Sequence, residues 1–287
     1  MLSQDWKKKK ILIENRLFEM LSTIKSSSIL YAPIEHSIFS GGKRLRPILV
    51  LCSFEAFSSS PINAPLEAAC ALEMLHCFSL VHDDLPCLDN DEYRRGKKTT
   101  HSLYGEDIGL LTGDALLALS FRTLSFISEE ILPGTSTLNL VKVLSDKGGL
   151  GGMIEGQALE CYQEGSPDMD EKTLFTIMNQ KTSALFSAAF MMGGICALQK
   201  QEMVSLLETI GLHFGNAFQL ADDYHDREGS REISNAFQLF KPDAMKQTFQ
   251  TEISKAESLM KTLSIKNITV FEDIFSWLKQ QIPSNEL

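Results

Sequence analysis

The stretch PLEAACALEMLHCFSLVHDD (65–84) decides how this chain is read. It is apolar on almost every side, and it ends in the paired carboxylates Asp83 and Asp84. A helix that is apolar nearly all round belongs inside a bundle. Pro86 should stop it, because proline restricts the residue before it to extended geometry. Asp89 follows after a short loop, then Asn90, Asp91, Glu92 and the pair Arg94-Arg95. A second apolar stretch, 201–226, closes on Asp222-Asp223-Tyr224-His225-Asp226. Asp222 and Asp226 are one helical turn apart and share a face, while Asp223 points to a neighbouring one. Carboxylates gathered in this way repel one another unless a cation sits between them. Magnesium takes oxygen ligands and commonly binds one or two carboxylates together with substrate phosphates. The two clusters therefore point to chemistry on a diphosphate.

Outward from these clusters, apolar residues recur three and four apart and strand-like alternation is scarce. The pattern predicts helices at roughly 5–25, 44–57, 65–84, 107–130, 137–161, 171–198, 201–226, 243–263 and 268–280. Pro47 falls in a first turn, where proline is tolerated. Pro133-Gly134 reads as a turn, and Ser58 to Pro65 as a loop between helices. Nothing reads as a domain linker or as a repeat of 20–50 residues. The expectation is an all-α, single-domain helical bundle over residues 1–287. The glycines at 148, 149, 151, 152 and 156 are not followed by Gly-Lys-Ser/Thr, so they read as loop or close helix approach rather than a nucleotide loop.

The 287 residues, 44% of them hydrophobic, are ample for a large core. A net charge of -10 disfavours nucleic acid as a partner. The run Lys7 to Lys10 reads as a solvated helix face. The six cysteines lack a Cys-x-x-Cys pair and most sit in apolar helical contexts, which suits reduced thiols in a cytoplasmic protein. The N-terminus lacks the basic-then-apolar order of a signal peptide. Residues 182–199 carry no charge but are barely long enough to span a bilayer, so a buried core helix is expected there and no membrane span. The sequon Asn267-Ile268-Thr269 is idle if the protein is cytoplasmic.

Cations stand where a phosphate binder would want them. Gly41-Gly42-Lys43-Arg44-Leu45-Arg46 opens a helix, whose N-terminus favours anions, and Lys43 and Arg46 share a face. Arg94-Arg95 follows the first acidic cluster, and Lys181-Thr182 opens the uncharged stretch. His76 and His82 lie on the helix before the first cluster. His82-Asp83 also invites a different reading, the metal doublet of helical HD-type phosphohydrolases, which would leave the second cluster and the basic sites without a role.

With these residues in place, the chain resembles the trans-isoprenyl diphosphate (polyprenyl) synthases, most of all the bacterial farnesyl and geranylgeranyl diphosphate synthases. The resemblance runs from about residue 38 to 226. It rests on GGKRLRP (41–47), EMLHCFSLVHDDLPCLDNDEYRRGKKTTH (73–101), GEDIGLLTGDALL (105–117), GGMIEGQALE (151–160), NQKTSALF (179–186) and FQLADDYHD (218–226). It implies a helical fold around a deep central cavity, the isoprenoid synthase architecture. It implies magnesium, three ions bound with an allylic diphosphate and held by Asp83, Asp84 and Asp89 on one wall and Asp222 and Asp226 on the other. Arg94, Lys181, Thr182 and Gln219 match positions for the allylic substrate. Gly42, Lys43, Arg46, His76 and Arg95 match those for isopentenyl diphosphate. The catalytic set is then Asp83, Asp89, Arg94, Lys181 and Asp222. A homodimer through long helices is also implied.

Only one diphosphate must leave, so only that one needs metal to stabilise developing charge. Phe78 lies five residues before Asp83, about 7.5 Å along a helix. An aromatic there, with the small Ser79 beside it, resembles the synthases that stop at the C15 farnesyl product. The DDLPCLDND stretch also looks like plant-type geranylgeranyl synthases, which leaves C20 as the alternative. One departure stands out. The family usually carries lysines in the loop after the second aspartate motif, whereas here Arg227 and Arg231 stand nearby and Ile233 falls near a lysine position. Arginine and lysine are not interchangeable at such sites. A weakly active synthase or a non-catalytic partner subunit is the alternative this departure raises. A terpene cyclase would use similar metal sites but would not need Lys43, Arg46 and His76.

Overall fold

A computed structural model of the chain describes residues 3–24, 27–163, 169–225, 236, 239–263 and 269–282. The described residues are almost wholly helical. The helices are α1 (Gln4–Ser22), α2 (Tyr31–Phe39), α3 (Leu45–Phe57), α4 (Asn63–Asp83), α5 (Thr100–Tyr104), α6 (Glu106–Leu124) and α7 (Gly134–Gly148). They continue with α8 (Met153–Gln163), α9 (Glu171–Ile177), a π-helical stretch (Met178–Ser183), α10 (Ala184–Cys196), α11 (Gln201–His225), α12 (Pro242–Thr262) and α13 (Thr269–Lys279). Two short strands, β1 (Tyr93–Arg94) and β2 (Lys97–Lys98), pair antiparallel between α4 and α5. The chain divides into two compact units. An N-terminal unit comprises Gln4–Leu51 and Ile62–Val141, and a C-terminal unit comprises Cys52–Pro61 and Lys142 onward, with Ser3.

In the N-terminal unit α4 is the central helix, packed chiefly on α6 and also on α1 and α2. It is long and apolar enough to cross a membrane, but most of it is buried within the protein. Its buried charge is balanced: Arg44, 3% exposed, meets Glu73 of α4 at 2.7 Å and Glu14 of α1 at 3.2 Å, and donates to the Ile38 carbonyl of α2. These acceptors raise the Arg44 pKa although burial acts to lower it. In the C-terminal unit α11 packs against α10, the π stretch and α12. Every residue of α10 is buried, so the uncharged stretch is a core helix as expected.

Several boundaries differ from the sequence reading. Helix α6 ends at Leu124 rather than near 130. Its last turn tightens to Ser125 N→Arg122 O and Phe126 N→Thr123 O bonds, and the Ser125 hydroxyl also donates to Arg122 O. The single helix expected over 137–161 is two helices, because Gly151 turns left-handed (φ 82°) between them. Pro133 lies directly before α7 and its carbonyl accepts from Ser136 and Thr137, so Pro133-Gly134 begins a helix instead of forming a turn. Helix α11 is buried on most sides only in its second half, which also carries polar residues; its first half buries Val204, Leu207, Ile210 and Gly211 on one side. The lysine run is not simply solvated: Lys9 is buried and paired with Asp5. Of the six free cysteines, Cys52, Cys70, Cys77 and Cys196 are buried, and Cys87 and Cys161 are exposed. Burial pushes the Cys77 thiol up to about 12 and raises Cys70 and Cys196 as well.

Candidate active site

In the N-terminal unit the first acidic cluster is built by a loop that folds back on its own helix. Helix α4 ends at Asp83, and past Pro86 the Asp89 N–H donates to the Asp83 carbonyl at 2.9 Å. The Asp91 N–H likewise donates to the Asp84 carbonyl at 3.2 Å. Residues six and seven positions apart thus become neighbours, which the sequence spacing alone does not show. Asp83 is half-buried and Asp89 exposed, whereas Asp84 is 4% exposed and paired with Arg94 Nε. Burial pushes the Asp84 carboxyl up, against the pull of the guanidinium. Arg94 also reaches Asp91 at 3.6 Å, and Asp84 helps raise its pKa against the effect of burial.

The strands β1 and β2 explain why Arg94 and Arg95 take different roles. They are joined by Arg95 (φ 53°) and Gly96 (φ 76°), both left-handed, the geometry of a tight hairpin turn. Arg94 turns to Asp84, while Arg95 Nη1 donates to the Gly41 carbonyl at 2.6 Å. The basic loop 41–44 is held from two further directions. Lys10 Nζ donates to the Gly42 carbonyl at 2.8 Å, and Trp6 Nε1 to that of Lys43 at 3.1 Å. Gly42 has the positive φ (124°) that favours glycine, and a Cβ there would also press on the tip of Arg95, 2.6 Å from Nη1. Lys43 is exposed at the end of this loop, and Arg46 stands in the first turn of α3.

His76 Nε2 accepts from Arg46 Nη1 at a long 3.4 Å. Burial, with Arg46, Arg95, Arg44 and Arg94 around it, holds its pKa well below the usual histidine range. The imidazole is therefore neutral, among cations. Of the five residues matched to isopentenyl diphosphate, Gly42 and Lys43 lie on this loop, Arg46 on the first turn of α3, Arg95 on the hairpin and His76 on α4.

Phe78 is 6% exposed and packs edge-on against His82, with ring centroids 4.9 Å apart. Ser79 is half-buried and returns its hydroxyl to the His76 carbonyl. His82 is committed to α6: its Nε2 lies 3.0 Å from the Leu110 carbonyl, and Gly113 presses against the ring. Among the described residues no three His, Cys, Asp or Glu side chains are arranged to hold a metal by themselves. This arrangement is compatible with an ion shared between one or two carboxylates and a phosphate.

In the C-terminal unit the π stretch carries Lys181 and Thr182. Lys181 Nζ pairs with the buried Glu160 of α8, and Thr182 donates to Gln219 Oε1 at 2.8 Å. Gln219 Nε2 then donates to Asp223 Oδ1 at 2.7 Å, and Asp223 Oδ2 accepts from the Ala236 N–H at 2.8 Å. Asp222 is half-buried, whereas Asp223 is 3% exposed. Asp226 and the segment with Arg227, Arg231 and Ile233 lie outside the described residues. Sequence reading named Arg94 and Gln219 as substrate residues but not as the partners of the two doublets, and it passed over the roles of Arg44 and Glu160. The one available signal was Arg44 beside Lys43, which read as part of the anion loop.

Two doublets of aspartate at helix ends, with a basic loop beside the first, form a donor set suited to a metal and a diphosphate. Comparison with known proteins carries this further. The polyprenyl synthetase family model matches residues 27–237, and the chain belongs to that family. It is 39% identical over 199 residues to a geranylgeranyl diphosphate synthase of Cyanophora paradoxa, covering 69% of this chain and 66% of that one. It is 36% identical over 224 residues to a farnesyl diphosphate synthase of Geobacillus stearothermophilus, covering 77% and 73% respectively. The match thus spans just under two thirds of the Cyanophora chain. The fold superposes on a geranyltransferase structure from Legionella pneumophila with a TM-score of 0.88 at 29% identity, covering 97% of this chain and 96% of that one.

Proposed function

We propose that this protein condenses isopentenyl diphosphate with the allylic diphosphates dimethylallyl and geranyl diphosphate, giving farnesyl diphosphate. The observation that carries the reading is the shared design of the two doublets. Each buries its second aspartate against internal donors and leaves its first, Asp83 or Asp222, less buried at a helix end. Magnesium is the ion this donor set fits: the oxygens are hard, and the loop bond from Asp89 to Asp83 gathers the first pair. Asp83 and Asp89, together with Asp222 and Asp226, would hold it, and Asp84 would have to give up part of its bond to Arg94. When bound, the metal neutralises charge building on a departing diphosphate.

The chain's own residues supply the rest. Arg94, Lys181 and Thr182 grip the allylic diphosphate, and Gln219 orients Thr182. Lys43, Arg46 and Arg95 hold the other diphosphate as fixed charges, while neutral His76 accepts from Arg46 and adds no further positive charge. The allylic C–O bond breaks, the isopentenyl double bond attacks the resulting cation, and a proton passes to the released diphosphate. Apolar surroundings protect the cation from water.

Phe78 is the proposed stop for the growing chain, which favours C15 over C20. We further propose a homodimer, for which the exposed Leu110 and Leu111 of α6 provide apolar surface, and a cytoplasmic location, consistent with the free thiols. The test is purified protein with labelled isopentenyl diphosphate, magnesium and each allylic primer in turn. Elongation to C15 is expected; no elongation with any primer would overturn the reading in favour of a partner subunit. Phe78→Ala should lengthen the main product, and an unchanged product would remove Phe78 as the stop.

A further inference from the structure

The helix bearing Lys181 and Thr182 opens into a π turn over Met178–Ser183. A π turn inserts an extra residue and loses regular helix bonding, so it persists where neighbours hold it. Two neighbours do so by contact. A Cβ at Gly156 would lie 2.2 Å from Lys181 N, and one at Gly215 would lie 2.6 Å from Ser183 Cα. A third support is polar and runs deeper. Ser183 Oγ donates to Asn216 Oδ1 at 2.7 Å, and Asn216 Nδ2 donates to Glu252 Oε2 of α12 at 3.2 Å. Glu252 is fixed in turn by His213 Nδ1 at 2.7 Å and by Lys255 Nζ at 2.9 Å. Asn216 and Glu252 are 4% and 5% exposed.

The order of donors gives this chain a direction. A carboxylate only accepts, so Glu252 fixes the amide end of Asn216 toward α12. The Asn216 carbonyl is then left facing the π turn, and the Ser183 hydroxyl must donate to it. Thr182, the next residue, is oriented by a separate bond to Gln219. We propose that Glu252 and Asn216 are positioning residues which, through Ser183, set the register of the π turn and thereby aim Lys181 and Thr182 at the allylic diphosphate. The inference rests on the proposed prenyl transfer, and it predicts that a residue on α12 governs affinity for one substrate of the two.

Glu252→Gln places an amide where three donors converge, and Ser183→Ala breaks the same chain at its other end. Each variant should raise KM for geranyl diphosphate about tenfold, the cost of one such hydrogen bond. KM for isopentenyl diphosphate should stay within about twofold. The double variant should be no worse than the more damaging single one, since both cut one chain. Amide hydrogen exchange over 178–183 should quicken in both. Equal rises in both KM values, or additive effects, would reduce the chain to general stability and overturn the proposal. Should the wild-type protein condense nothing, prenyl transfer fails on its own account. The exchange measurement still decides the relay, because unchanged protection of 178–183 in Glu252→Gln refutes it. If Glu252→Gln does not fold, Ser183→Ala carries the same tests.

Discussion

The two aspartate doublets look interchangeable in sequence, and the protein anchors them differently. In the N-terminal unit Asp84 is held by a charge, the Arg94 guanidinium. In the C-terminal unit the described partners of Asp223 include neutral donors, the Gln219 amide and the Ala236 N–H. The division of labour is nevertheless the same: the second aspartate is buried as an anchor and the first remains less buried. An ion pair can exchange partners as charges arrive, whereas an acceptor between two fixed N–H groups is tied to one geometry. The Arg94 bond of the first doublet is therefore adjustable, and the Gln219 and Ala236 bonds of the second are rigid.

The hardest way to break this parallel is to remove the outer carboxylates. Asp83→Asn and Asp222→Asn should each lower kcat/KM on the order of 10²–10³-fold, the scale for losing one charge-stabilising group, with melting temperatures close to wild type. A large fall in melting temperature would show that the outer members are structural too. Next in size are the inner members. Asp223→Asn turns one acceptor into a donor facing an N–H, so unfolding by denaturant should show a loss of about 1–3 kcal/mol. Asp84→Asn keeps an acceptor for Arg94, which is partly exposed and can turn to Asp91, and should lose less. The reverse order would undo the distinction between adjustable and rigid.

The smallest effect separates the units by pH. Burial acts to raise the Glu252 pKa, but His213, Lys255 and Asn216 outweigh it and hold the carboxyl at about 2. Its contribution is present above the unfolded glutamate value of about 4.3 and is lost as pH falls through about 2. Asp84 has the opposite sign: its folded pKa is raised, so acid does not withdraw stability through it. Acidification should therefore loosen α11 and α12 before α4, followed by hydrogen exchange of the two segments. Glu252→Gln should flatten that response, and an unaltered acid profile in this variant would count against the assignment.

Long periodic helices were legible because burial demands their spacing: α1, α3, α4, α11, α12 and α13 fall close to where the pattern puts them. Helices α2 and α5 and the two-residue strands were too short to carry a period. The π stretch was illegible because its register is imposed by Gly156, Gly215 and Asn216, none of them local. The site divides along the same line. Which residue types gather was readable from spacing. Which aspartate of each doublet is an anchor was not, because burial and partner are tertiary facts. Asp226, the sequence's fifth metal candidate, lies outside the described residues, so the second cluster is drawn from Asp222 and Asp223.

The distribution of thiols has a practical consequence. Cys77, pushed up to about 12 by burial, scarcely forms the reactive thiolate at neutral pH, and Cys70 and Cys196 are shielded in the same way. Cys52 is enclosed, while Cys87 and Cys161 are exposed, one on the loop after Asp83 and Asp84 and the other on the helix bearing Glu160. The natural chain thus offers one dye attachment point in each unit. Doubly labelled wild-type protein, with no engineered cysteine, would let energy transfer follow how the two units respond as substrates arrive.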